Sequence, residues 1–102
     1  MNKLVIAAAA VALAGTFGTA LAGDAAAGKA KFAVCAGCHG PTGAGNEALK
    51  YPKLAGLQAA QVAEQLHAFK SGTRDNATMK AMTAGLNDAD IDNLAAYIAT
   101  LK

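Results

Sequence analysis

Cys35-Ala36-Gly37-Cys38-His39 sets two thiols three residues apart and places an imidazole directly after the second. Each thiol at that separation can bond one vinyl group of a porphyrin, and the order C-x-x-C-H is the attachment signature of a c-type haem. The adjoining imidazole of His39 is then held under the iron as its proximal axial ligand. No other cysteine occurs in the chain, so both sulfurs are used. Rival chemistries fit these residues less well. A Cys35–Cys38 disulfide would close a very small loop and stabilise little. A thiol–disulfide oxidoreductase expects a βαβ setting, which is lacking here, and leaves His39 without a role. Structural zinc needs a fuller tetrahedral set than two cysteines and one adjoining histidine.

A second axial ligand must come from elsewhere in the chain, unless that position stays open as in haem peroxidases and gas-binding proteins. Methionine thioether is the usual partner in cytochromes c and raises the reduction potential. Beyond Met1, the candidates are Met79 and Met82, and their spacing does not choose between them. Either could instead fill an irregular gap in the core. His67, among Glu64, Gln65 and Lys70, reads as a partly exposed helical residue and as the bis-histidine alternative. A ligating histidine usually donates its other ring N–H to a carbonyl or carboxylate. The free carbonyl of Pro52 is a candidate acceptor for His39, although the proline could equally serve only to stiffen its loop. Tyr51, Lys53 and Arg74 could reach haem propionates, but each alone reads first as surface. Asp88, Asp90 and Asp92 lack the glycine and closing glutamate of a calcium loop.

These residues need elements to position them. Met1-Asn2-Lys3, the apolar run Leu4 to Ala14 and the small-x-small pattern Ala20-Leu21-Ala22 read as a secretory signal peptide cleaved after Ala22. The apolar run is short for a membrane span of roughly 20 residues. Residues 23–102 then form one small domain, a size that usually relies on a cofactor or another staple. Removing Lys3 leaves eight basic against seven acidic residues, a net charge of +1. That balance excludes the basic footprint of a nucleic-acid binder.

An all-α domain of three main helices follows from the pattern. Asp24 is an N-cap for a helix from Ala25 to about Cys35, in which Gly28 lies one turn before Phe32 and invites close helix approach. Gly40 to Gly56 is punctuated by glycine and proline and reads as loop, without the strand and lysine of a phosphate-binding motif. Val62, Leu66 and Phe69 mark the buried face of a helix over 59–70. Residues 72–86, carrying both methionines, read as loop. Asn87 caps the last helix, with Asp88 and Asp90 at its positive end and Lys102 at its negative end. Ile91, Leu94, Ala95, Ile98 and Leu101 form its apolar stripe, with Tyr97 alongside.

With these elements in place, residues 23–102 resemble a class I c-type cytochrome, closest in texture to small bacterial monohaem cytochromes of the c553 type and to the single-haem halves of the c4 family. The resemblance rests on Gly28 and Phe32, C-A-G-C-H at 35–39, P-K-L-A-G at 52–56, M-K-A-M at 79–82 and L-A-A-Y-I at 94–98. It implies a cytochrome c fold wrapped around one covalent haem c, attached at Cys35 and Cys38. In that grouping the ligand methionine precedes a terminal helix that begins like Leu86-Asn87-Asp88-Ala89-Asp90-Ile91. Aligning on it makes Met79 the distal ligand, with Met82 as its neighbour and the alternative. The resemblance also implies that Gly28 and Phe32 cross the last helix near Leu94 and Tyr97, and that the Pro52 carbonyl meets His39. The implied function is one-electron transfer in the bacterial periplasm by a low-spin His/Met haem, not enzyme catalysis. Expected partners are periplasmic or membrane-bound respiratory redox proteins of oxidase, reductase or peroxidase type. No nucleic acid and no small-molecule substrate at the iron is expected, and the protein should be a monomer or weak dimer.

Overall fold

Asp24 opens the first helix as its sequence position demands. Its carboxylate accepts hydrogen bonds from the amides of Ala26 (3.0 Å) and Ala27 (3.3 Å), which have no partner inside the helix. The computed structural model describes residues 23–102, so the expected leader over residues 1–22 lies outside the described residues. Within them the chain forms α1 (Ala25–His39), α2 (Ala59–Ser71), α3 (Ala77–Thr83) and α4 (Asp88–Ile98), with no β-strand. No helix among the described residues is long and apolar enough to cross a membrane.

The expected all-α architecture is present, with differences at three places. First, α1 runs through the whole C-A-G-C-H motif to His39 and does not end near Cys35. Gly37 lowers helix propensity by about 1 kcal/mol against alanine, but this is too little to break a helix already propagating. Termination comes at Gly40, whose φ of 87° leaves the helical region while its amide still donates to the Ala36 carbonyl. Second, the methionines stand on a short helix, α3, in a segment that the sequence pattern assigns to loop. Seven residues are too few to show periodicity or to persist alone in water. Asn76 caps α3 by accepting from the Met79 amide at 3.0 Å, and the Thr83 hydroxyl donates to the Met79 carbonyl at 2.8 Å. Third, α4 ends at Ile98, so Lys102 lies beyond its last turn, which holds no basic residue.

α4 is the hub. α1 and α2 both pack on it, and α3 packs on α2. A reciprocal box starts α4: Asn87 accepts from the Asp90 amide at 2.8 Å, and Asp90 accepts from the Asn87 amide at 3.1 Å. Ile91, Leu94, Ala95 and Ile98 on α4 meet Phe32 of α1 and Val62 and Leu66 of α2 in one buried cluster. Leu101 adds to this core from beyond the helix end. At the crossing of α1 and α4, a Cβ on Gly28 would lie 1.9 Å from the Asn93 carbonyl oxygen, so only glycine permits this approach. Just beyond, the rings of Phe32 and Tyr97 pack at 5.3 Å with a 56° tilt, a favourable edge-to-face geometry.

Candidate functional site

The chemistry-bearing residues lie on two separate helices. Cys35, Cys38 and His39 occupy the last turns of α1, which packs on α4, whereas Met79 stands on α3, which packs on α2. Cys35 and Cys38 are three residues apart within α1, which puts both thiols on the same side of that helix. Cys35 is half-buried against the core and Cys38 is exposed. Burial pushes the Cys35 thiol above its ordinary pKa; a backbone hydrogen bond opposes this, and neighbouring Cys38 adds to it.

His39 is held far more tightly than its thiol neighbours. Its side chain is buried, and Nδ1 lies 2.8 Å from the carbonyl oxygen of Pro52. A carbonyl only accepts, so Nδ1 carries the proton and donates it. The lone pair is then on Nε2, the nitrogen free to bind a metal, and the bond to Pro52 fixes the ring orientation. The Tyr51 ring packs beside the imidazole at 6.4 Å, and the His39 carbonyl accepts from the Gly45 amide at 2.8 Å.

The two methionines are placed differently. Met79 is half-buried against the core cluster, while Met82 is 50% exposed. Backbone groups of Met79 are fixed on both sides, the amide by Asn76 and the carbonyl by the buried hydroxyl of Thr83. Nothing in the residue pattern marked Thr83, but Asn76 directly before Ala77 is an N-cap signal that could have revealed α3. His67 sits on the exposed side of α2, with Nδ1 4.0 Å from an Asp88 carboxylate oxygen. Arg74 donates to Gln65 and stacks 4.8 Å over the Phe69 ring; Lys53 is exposed.

Donor chemistry decides what these residues can hold. No three His, Cys, Asp or Glu side chains converge among the described residues, as a bare ion would need. Two thiols on one helical face and one imidazole with a free Nε2 fit a macrocycle that brings its own equatorial nitrogens. The cytochrome c family model matches residues 25–102, nearly all of the described chain.

The chain belongs to the cytochrome c family. Its cofactor is therefore covalently bound haem c with iron, and Cys35 and Cys38 stand in the attachment motif. The work of this family is electron transfer, not enzyme catalysis. Cytochrome c4 of Pseudomonas aeruginosa is 42% identical over 103 residues, covering 100% of this chain and 50% of that protein. Cytochrome c-554(547) of Halothiobacillus neapolitanus is 47% identical over 95 residues, covering 79% of this chain and 100% of the relative. The fold has the same parentage: reduced cytochrome c4 from Pseudomonas stutzeri superposes with a TM-score of 0.73 at 34% identity, over 79% of this chain and 52% of that one. The chain thus spans about half the length of the Pseudomonas aeruginosa cytochrome c4 and the full length of the c-554(547) relative.

Proposed function

We propose that residues 23–102 act as a periplasmic one-electron carrier, exported by a leader over residues 1–22 that is cleaved after Ala22, with His39 and Met79 as the axial ligands of a low-spin haem. Cys35 and Cys38 would hold the haem through thioethers, and the bound group would supply an iron able to pass between Fe(III) and Fe(II). His39 presents Nε2, and the Pro52 carbonyl fixes the tautomer and strengthens the imidazole as a donor. Met79 offers a neutral, polarisable thioether, which favours Fe(II) and raises the potential. Held by His39 on one face and Met79 on the other, the iron would have no position left for a small-molecule substrate.

The observation that supports the reading is the His39–Pro52 bond, which occupies Nδ1 and leaves Nε2 as the nitrogen with a lone pair. Burial of Met79, against half exposure of Met82, supports Met79 as the distal ligand. Partners are redox proteins of the respiratory chain, met in the periplasm or at its membrane, that dock transiently through small interfaces, typically below about 1,200 Å². A net charge of +1 on residues 23–102 supports only modest electrostatic steering, and the protein acts as a monomer or weak dimer. The test is ligand competition in the reduced haem-loaded protein. Met79→Ala should admit carbon monoxide and shift the visible spectrum, whereas Met82→Ala should behave as the parent. Carbon monoxide binding to the parent itself, or an unchanged spectrum in both variants, overturns methionine ligation.

A further inference from the structure

Gly45 stands between the two partners of the His39–Pro52 hydrogen bond. Its amide donates to the His39 carbonyl at 2.8 Å, which ties it to the end of α1. On its other side it lies flat against the returning chain. A Cβ on Gly45 would sit 2.6 Å from the Tyr51 carbonyl oxygen, 2.7 Å from the Lys53 amide nitrogen and 2.7 Å from the Pro52 carbonyl carbon. All three are backbone atoms and cannot swing aside as the tip of a flexible side chain could. The last of them bears the oxygen that receives the His39 proton. Just before Pro52, the Asn46–Tyr51 bridge closes the loop with two hydrogen bonds of 2.8 and 2.9 Å, so the chain has little freedom to yield. Gly45 also has a φ of 75°, in the left-handed region that favours glycine.

We infer that Gly45 is a positioning residue for the proximal ligand: its missing side chain sets how closely the Pro52 carbonyl approaches the His39 ring. A side chain at 45 pushes the Pro52 peptide away while its own amide still holds the His39 backbone, and the Nδ1–H···O bond opens. An imidazole that loses this acceptor is a weaker donor through Nε2, Fe(III) is less stabilised, and the potential rises. The inference rests on His39 as an iron ligand for its effect on potential, but not for its effect on the hydrogen bond.

Left-handed backbone strain and crowding are separable, because Gly56 has a φ of 90° and nothing within 4 Å of its would-be Cβ. Gly56→Ala carries the strain without the obstruction. Gly45→Asn, whose side chain tolerates the left-handed region, carries the obstruction with less strain. The experiment compares both Gly45 variants, Gly56→Ala and the parent as haem-loaded proteins. NMR of the reduced form reads exchange of the His39 Nδ1 proton with solvent, and voltammetry reads the potential. The Gly45 variants should exchange this proton about tenfold faster, as loss of one hydrogen bond allows, and their potentials should rise; Gly56→Ala should match the parent in both. Parent-like exchange in the Gly45 variants, or equal acceleration in Gly56→Ala, overturns the inference. A parent His39 ring without hyperfine shifts in the oxidised form would sink ligation by His39 instead, and the exchange rates would still decide the role of Gly45.

Discussion

Two glycine-to-alanine changes within α1 should move stability in opposite directions. In a helix interior, alanine is preferred over glycine by about 1 kcal/mol, so propensity alone makes both Gly28→Ala and Gly37→Ala stabilising. Surroundings separate them. A Cβ at Gly37 meets nothing within 4 Å, whereas one at Gly28 would lie 1.9 Å from the Asn93 carbonyl oxygen and 2.9 Å from Tyr97 Cβ. Carbon–oxygen contact requires about 3.5 Å, so α1 and α4 would have to part by roughly 1.5 Å at their crossing. Overpacking of this kind costs about 1–3 kcal/mol. The same movement strains the 2.8 Å bond from the Asp24 amide to Asn93 Oδ1, a contribution near 1 kcal/mol, and the Phe32–Tyr97 pair, about 0.5–1.5 kcal/mol. Against the propensity gain of about 1 kcal/mol, the net loss for Gly28→Ala is about 1.5–4.5 kcal/mol. Denaturant unfolding of the haem-loaded proteins, followed by far-ultraviolet circular dichroism, reads both changes. The midpoint should fall steeply for Gly28→Ala and rise slightly for Gly37→Ala. Equal or raised stability for Gly28→Ala would refute the close helix crossing.

Two further expectations concern the site. Either Cys35→Ala or Cys38→Ala alone should leave haem held through the remaining thioether, while the double variant should release it from the denatured chain, as mass spectrometry of the unfolded protein would reveal; covalent haem on the double variant would exclude these thiols as the anchors. Thr83→Val keeps the shape of this 1%-exposed residue but removes the hydroxyl that holds the Met79 carbonyl. It should lower stability by about 1 kcal/mol and let carbon monoxide compete more easily for the distal position, whereas Thr83→Ser, which keeps the hydroxyl but loses a buried methyl, should restore the competition and not the stability; parent-like competition in Thr83→Val would show that the hydroxyl does not steady Met79.

Much of this protein is written in residues close together along the chain. C-A-G-C-H names the cofactor without reference to any fold, because thiol spacing and the adjoining imidazole are local features. Asp24, Asn87 and Gly72 mark helix ends by hydrogen bonds that span only a few residues, and the stripes Val62–Leu66–Phe69 and Ile91–Leu94–Ala95–Ile98 follow from helical period alone. The segments that departed from expectation are those where neighbours decide. α3 is too short to carry a period and is secured through Thr83 packing and a bond from Lys70 on α2 to the Leu86 carbonyl. The end of α1 lies at His39 because the loop takes hold there, and not at the weak point in propensity.

The sequence by itself pointed to haem c, to Cys35 and Cys38 in its attachment motif and to an all-helical fold. Pattern alone did not choose Met79 over Met82; family alignment pointed to Met79, and tertiary packing half-buries it against the core while leaving Met82 50% exposed. Similarly, a proline thirteen residues from His39 was one possible acceptor among many carbonyls until the loop folded back to place it 2.8 Å away. Gly28 and Gly45 complete the contrast. A glycine in a sequence reports only a missing side chain, and what that absence makes room for depends on atoms brought in from distant parts of the chain: Asn93 on α4 in one case, the Pro52 peptide in the other.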